Sequence, residues 1–576
     1  MEPVSTAAAA ALDRFFEHYY RRRPVNATFT GVHDFDDRLP DWSLSGLEAL
    51  RDEVRALRRE IDGHRRPAHP IALPMAPTLN WPLEVDLELA SSFLEIQEAE
   101  LDSLRFQHGN PSLFAGEAVF GVIGLVTRAF APIEARLAAA ASRMRAIPGF
   151  LGDVRTTIGR RPVAASWLTR ALNEAQGAQL FFLSGLEKLL ASLPAGHDPV
   201  ARAAHAAAAE TASAFAAFSD WLRRDAQSEG ARVGCGPDFF DLVLERAHWS
   251  RRRRDDLLAE VRERLAEGRE QLDRAARSLD TAGWVGVQAR LDRDHPDADH
   301  YLDAFEQIWA QCRKRAIEAD LVTWPDYPIR YAPIPPHTRD AAPLLYYLFY
   351  RSPAPLDPVT VHDYVVPPID DTPTGDERER RLRAANRSTI MLNHVVHHGG
   401  LGHHVQNYYA SRSASRIGQV AAVDCACRIG MLLGGTMAEG GACYATDLAE
   451  EAGLLDELAK VANQHSRVRQ LARAVADIEL HQGTMDEEQA VAFYIDRAGM
   501  SEQAARGEVT RNAMFPGQAV MYWLGTDAIH RLRDERTRLE GRAFSLGRFH
   551  DRFLSFGSLP VALIAQLMTT GDARAS

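Results

Sequence analysis

The stretch NHVVHHGGLGHHVQ, residues 393–406, carries five of the chain's 21 histidines: His394, His397, His398, His403 and His404. Neutral imidazole is a common metal ligand. Five of them gathered around glycines, in an otherwise apolar segment, point to a metal centre rather than to surface residues. Two ligand pairs are open on spacing alone. His394 and His398 stand four apart, so an undistorted helix puts both on one face. His397 and His403 stand six apart, about 600° on an ideal helix, and would point away from each other. Gly399, Gly400 and Gly402 lie between them, however, and glycine interrupts a helix cheaply. A bulge there could return His403 to the face of His397.

A third ligand must come from elsewhere. In GTMAEGGACYATDLAEE (435–451), Glu439 sits among Ala, Gly and Cys, where a carboxylate is costly to bury unless paired or metal-bound. Asp447, Glu450 and Glu451 read as solvated. Glu439 follows His403 by 36 residues, room for one intervening helix over SASRIGQVAAVDCACRIGMLLGG. Two histidines and a glutamate leave one position open on a four-coordinate ion, as in catalytic zinc sites. The plain alternative is a capping or salt-bridging glutamate.

The elements that must position these groups read as helices. Leu12, Phe15, Phe16 and Tyr19 recur with a helical period in STAAAAALDRFFEHYYRRR. Residues 83–107 and 251–276 are further helical segments, and the four-arginine run opening the latter reads as a solvated helix start. Alanine-rich stretches at 131–146 and 200–217 favour helix and closely packed neighbours. Strand signals are confined to 321–333 and 359–368, and prolines make the first a meandering extended segment. The stretch 351–385, rich in Pro, Asp and Arg, reads as a loop. The expected organisation is an N-terminal helical region (1–320), an irregular Pro-rich connector with short strands (321–386) and a C-terminal helical region carrying the metal site (387–576). The fold class is mainly α, with a central cleft.

Composition bounds the function. The chain is 46% apolar and 25% charged with a net charge of −12, which fits a soluble globular protein and argues against general nucleic-acid binding. Five cysteines, an odd and sparse set, fit a reducing compartment, with Cys425 and Cys427 expected as buried thiols. No run of about 18 strongly apolar residues occurs, so no membrane span is expected. The N-terminus reads as a soluble helix rather than a signal peptide, and a cytoplasmic location follows as the expectation.

Several landmarks together resemble the DUF885 family, mostly helical bacterial proteins related to HExxH-type metallopeptidases. HHGGLGHHVQ is similar to that family's H-E-x-x-P-G-H-H-x-Q motif, and PVNATFTGVHDFDDRLPDWS (24–43) to its P-x-x-A-T-x-x-G-x-H-x-x-D signature. NPSLF, RMRAIPGFL, EGGACYA, FPGQAVMYWLG and FHDRFLSFGSLPVALI resemble further landmarks in the same order. The resemblance implies a large helical metallopeptidase-like fold. It puts His397 and His403 in the two metal-histidine places and Glu439 in the carboxylate place. Tyr522 falls where a phenol could stabilise an oxyanion.

The departures are as informative. His398 stands where the family has its general-base glutamate, Leu401 where it has proline, and Gly441 where E-G-W has tryptophan. A histidine at 398 could be a base, a further ligand or a substrate anchor, and ordinary peptidase activity is not expected. His394, His404 and Gln406 are candidates for additional ligands or for support of the ligands. Arg387, Arg416 and Gln518 are candidates for substrate binding. The expected function is a metal-dependent, hydrolase-like enzyme acting on a small polar or carboxylated molecule or a short peptide, with one divalent ion, zinc first. The alternatives are a non-hydrolytic enzyme using iron, copper or nickel and an inactive binding protein on the same scaffold.

Overall fold

In the computed structural model, which describes residues 6–65, 81–103, 105–194, 198–345, 353–358, 361–369, 374–423 and 427–572, nearly all regular structure is helical. The N-terminal periodicity becomes the helix Thr6–Arg22, with Leu12, Phe15, Phe16 and Tyr19 buried. Segments 83–107 and 251–276 become Trp81–Asp102 and Arg254–Leu279. The alanine-rich stretches form Ile133–Ile158 and Asp198–Asp225, which pack against each other. Ala140, Ala141, Ala204, Ala207 and Ala208 are buried. The small side chains allow the approach, and Thr211 Oγ1 donates across it to the Met144 carbonyl at 3.1 Å.

The largest apolar core draws on both ends of the chain, joining Phe15 and Phe93 to Leu433 and Leu563. A buried ion pair between Arg428 and Glu100 crosses the same boundary. A second core lies between Arg254–Leu279 and Glu457–Gln482. The third gathers Phe305, Tyr331, Tyr364, Val395, Val396 and Ala445, and it carries the histidine segment. Among the described residues no single helix is long and apolar enough to cross a membrane. A pair of helical segments, Trp81–Gly109 and Pro111–Thr127, passes on length and composition but is bent by 79°.

The strands fall inside the two expected segments, of which residues 359–360 lie outside the described residues. β1 (Ile329–Pro333) and β2 (His362–Val366) pair in parallel, with Tyr331 opposite Tyr364. Three expectations need correction. Residues 375–384 are a helix, not a loop. The Thr374 side chain accepts from the Glu377 amide at 3.2 Å, and the charges that read as loop form i,i+4 pairs, Glu377–Arg381 at 2.9 Å and Glu379–Arg383 at 2.8 Å. The segment 413–435 is not one helix. Ser415 caps a short new helix, Arg416–Val420, and Asp86 accepts from the Arg416 amide at 2.8 Å and the Ile417 amide at 3.2 Å. Among the described residues helix resumes at Arg428, after Cys427, which is buried; Cys425 lies outside the described residues. The four-arginine run is not simply solvated either. The Arg252 guanidinium lies 5.1 Å from the centre of the Trp523 ring and pairs with Glu260 at 2.8 Å.

Candidate metal centre

Residues Ile390–Gly399 form a π-helix, whose i→i+5 bonding removes the ordinary i,i+4 face. His394 and His398 therefore part company. His394 Nδ1 lies 2.8 Å from the Tyr364 hydroxyl on β2. His398 Nδ1 donates to the Asn393 carbonyl, five residues back, at 2.7 Å. After the π-helix the chain doubles back on itself: the Gly402 amide donates to the Val396 carbonyl at 2.9 Å. A Cβ on Gly402 would run into the His397 carbonyl oxygen, so only glycine allows this approach. The helix His403–Ala410 starts at once, and its first residue faces His397 with the rings 4.9 Å apart.

Glu439, on the helix Gly435–Glu451, completes the cluster. Its Oε2 lies 3.3 Å from His397 Nε2 and 3.9 Å from His403 Nε2, and the residue is only 5% exposed. One nitrogen from each of His397, His398 and His403 lies within 4.8 Å of the others. Ligands bound to zinc at about 2.0–2.1 Å in a tetrahedron stand roughly 3.3 Å apart. The His397–Glu439 separation already matches that edge, and the remaining donors need only small inward movements.

The electrostatics favour lone-pair donors. Burial drives His397 below the ordinary histidine value despite the opposing Glu439. Burial also drives His398 well below it, and the neighbouring imidazoles add to the effect. Burial would raise Glu439, but hydrogen bonding by His397 and the charge of His403 hold it well below the carboxylate range. With His397 neutral and the carboxylate ionised, lone pairs would oppose one another at 3.3 Å. A shared proton or a cation removes that repulsion. Gln406 orients His403: its Oε1 accepts from His403 Nδ1 at 3.4 Å, and its Nε2 donates to Ser558 Oγ at 2.9 Å. This leaves His403 Nε2 directed at Glu439, the arrangement ligating histidines use.

The glutamate helix is held by a glycine crossing. A Cβ on Gly440 would meet Gly525 Cα, so these two glycines let Gly435–Glu451 and Val520–Glu540 touch backbone to backbone. The contact sets Tyr522 beside Cys443, one turn after Glu439. Arg511 donates to the Tyr522 hydroxyl and stands 4.0 Å from Glu439 Oε1. The Arg473 guanidinium lies 4.9 Å from the centre of the Tyr522 ring. Sequence reasoning missed both arginines. Their signal was weak: arginines inside partly apolar helices, whose convergence depends on how distant helices pack.

The other candidates stand elsewhere. His404 is committed to the sheet segment, with Nε2 donating to the Tyr327 carbonyl at 2.8 Å and Nδ1 at 3.1 Å from His362 Nδ1. Gln518 is buried and donates to the Met431 carbonyl. Arg416 pairs with Asp13 at 2.6 Å, and Arg387 pairs with Asp294 at 3.4 Å. Asp447 is buried, not solvated, between Arg467 at 2.7 Å and His530 at 2.8 Å. Gly441 and Leu401 do line a small cavity of about 40 Å³, with Met437, Tyr444 and Phe553. Gly441 is two residues from Glu439, roughly 200° around the helix, so this space lies behind the glutamate rather than in front of it.

Fold and site together define a large helical protein with a buried histidine–carboxylate cluster. The chain belongs to the DUF885 family, described as bacterial proteins of unknown function, whose sequence pattern matches residues 24–568. Two solved structures share the fold. One, described as a putative lipoprotein of unknown function from Shewanella oneidensis, is 21% identical, with a TM-score of 0.73 over 98% of this chain and 100% of that one. The other, a putative lipoprotein from Colwellia psychrerythraea, is 17% identical, with a TM-score of 0.76 over 98% of both chains. No curated protein matches the chain.

Proposed function

We propose that the chain is a metal-dependent, hydrolase-like enzyme that acts on a small polar or carboxylated molecule or a short peptide. The observation that carries this reading is the convergence of a half-buried His397 and a buried His403 on the buried Glu439, whose Oε2 lies 3.3 and 3.9 Å from their Nε2 atoms. These three residues would hold a divalent ion, zinc first. Such an ion supplies Lewis acidity and lowers the pKa of a coordinated water.

The chain's own groups supply the rest. The Tyr522 oxygen accepts from Arg511, which polarises its own O–H outward. The phenol is thereby suited to hydrogen-bond a developing oxyanion beside Glu439. His398 is a poor replacement for a general-base glutamate, because burial and the adjacent imidazoles disfavour its protonated form. Its Nδ1 is occupied by the Asn393 carbonyl, which leaves Nε2 as a lone-pair donor. That observation favours a second reading, a three-imidazole site suited also to iron, copper or nickel and to non-hydrolytic chemistry.

Turnover of a panel of short peptides and N-acyl amino acids, abolished by chelation and restored by one metal, tests the proposal. Zinc as the restoring ion supports the hydrolytic reading; a redox-active ion with an optical signal supports the second. His398→Glu should confer or raise peptide cleavage. Equal cleavage by both proteins would remove His398 as the determinant. The sparse free thiols support a cytoplasmic location, whereas the lipoprotein descriptions of both structural relatives support the cell envelope. Fractionation of the native producer decides between them.

A further inference from the structure

We propose that Arg511 and Arg469, backed by Arg473 and Glu508, form a subsite that binds a carboxylate of the substrate next to Glu439. The inference rests on the metal-centre reading and assigns the substrate's anchoring group. Arg469 and Arg473 are one turn apart on the helix Glu457–Gln482, and Glu508 and Arg511 are one turn apart on Glu502–Met514. The two helices pack together, so all four side chains meet.

Arg473 and Glu508 form the foundation. Arg473 Nε donates to Glu508 Oε2 at 2.8 Å and Nη2 to Oε1 at 2.5 Å. Their side chains are 14% and 12% exposed. This bidentate pair satisfies one guanidinium with one carboxylate. Two further guanidiniums, of Arg469 and Arg511, lie near enough to act on Glu508 by charge. Arg469 Nη2 lies 3.7 Å from Glu508 Oε1, too far for a hydrogen bond. Its Nε is buried without a hydrogen-bond partner among the described residues. Arg511 reaches Tyr522 and stands 4.0 Å from Glu439.

Three guanidiniums thus gather about two carboxylates, Glu508 and Glu439, leaving one positive charge in excess among these five described side chains. The excess grows if Glu439 holds a cation. A structural ion pair gains nothing from extra like charge beside it, because like charges repel. An anchored anion explains the excess. The two outer arginines also keep the most solvent access, 37% for the Arg469 side chain and 28% for Arg511. Planar guanidiniums match a carboxylate through paired N–H donors. A carboxylate seated there lies within a few bond lengths of Glu439, so it belongs to a small acid or to the C-terminal residue of a peptide.

Calorimetric titration of zinc-loaded protein tests the proposal with two matched pairs. One is N-acetylglycine and its amide; the other is N-acetyl-trialanine and its amide. Each acid should bind about tenfold or more tightly than its amide, the scale of a charge-assisted contact. The pair with the larger ratio identifies the source. In Arg511→Gln and Arg469→Gln the ratio should fall to near unity with metal content unchanged, and Arg511→Lys should restore part of it. Arg469 is the more exposed and carries the test if Arg511→Gln fails to fold. Equal binding of acid and amide by the wild type would overturn the proposal. So would unchanged ratios in folded variants, or phosphate binding more tightly than either acid. The metal-stripped protein separates the two readings. An arginine-dependent preference for acids in a chain that takes up no metal leaves this subsite standing while the metal-centre reading falls. Metal uptake without any preference does the reverse.

Discussion

Two histidine–carboxylate sites in this chain are built in opposite ratios. At His33, one imidazole lies between two carboxylates, with Nδ1 2.9 Å from Asp36 and Nε2 2.9 Å from Asp357, and its ring stacks on Phe130. Burial would lower its pKa, but the two carboxylates outweigh it and raise the value to about 9. Both nitrogens are hydrogen-bonded, the cation is favoured, and no donor is left for a metal. At Glu439, one carboxylate stands beside three clustered imidazoles, and burial disfavours the protonated forms of His397 and His398. Counting histidines near acids does not distinguish the two. The ratio of imidazoles to carboxylates, with the tautomers their neighbours impose, does: His33 ties two segments together, and the second cluster offers lone pairs.

The strongest way to break this comparison is Gly402→Ala. The new methyl meets the His397 carbonyl, so His403 cannot return to His397. Metal affinity should fall by more than about 100-fold, beyond the usual reach of supporting groups. Circular dichroism should show retained helix, and unaltered affinity would mean that the turn does not set the pair. Gln406→Ala removes only the group that orients His403. A loss of about 10–100-fold in metal affinity is expected, read by competition with a chromophoric chelator.

His33 sharpens the other side. A raised folded pKa stabilises the protein fully below the unfolded value of about 6.5. That contribution is lost as pH rises through about 9. Because the His33 side chain is 30% exposed, screening reduces the effect to about 1 kcal/mol. Wild type should therefore melt lower at high pH than at pH 6 by an increment that His33→Gln lacks, with metal content the same in both. Arg416→Ala should do least. Its ion pair is exposed, so stability should change by less than about 0.5 kcal/mol and substrate affinity not at all. A weakened KM would return Arg416 to the site.

Much of the fold was legible because helices announce themselves locally. Phe15, Phe16 and Tyr19 repeat with the helical period, and the alanine runs permit close neighbours. Residues 375–384 were missed because the pairs supporting that helix, Glu377–Arg381 and Glu379–Arg383, have the composition of a loop. Asp447 was misjudged because its burial depends on Arg467 and His530 from other helices. In the site, the glycines signalled that His403 could return to His397, but not that the route is a π-helix followed by a tight reversal. Spacing could not place Arg511, Arg473 and Glu508 at Glu439, since only the packing of three helices does so. Gly441 did mark an opening, yet helical rotation puts that opening on the far side of the glutamate.

The central claim is tested most directly by elemental analysis of untagged protein. The chain would be dialysed with zinc and then freed of unbound ion, alongside His397→Ala and Glu439→Ala. The wild type should retain about one ion per chain, and both variants only a small fraction of that, since each lacks a ligand. Retention of no metal by the wild type, or equal retention by all three proteins, would contradict the account.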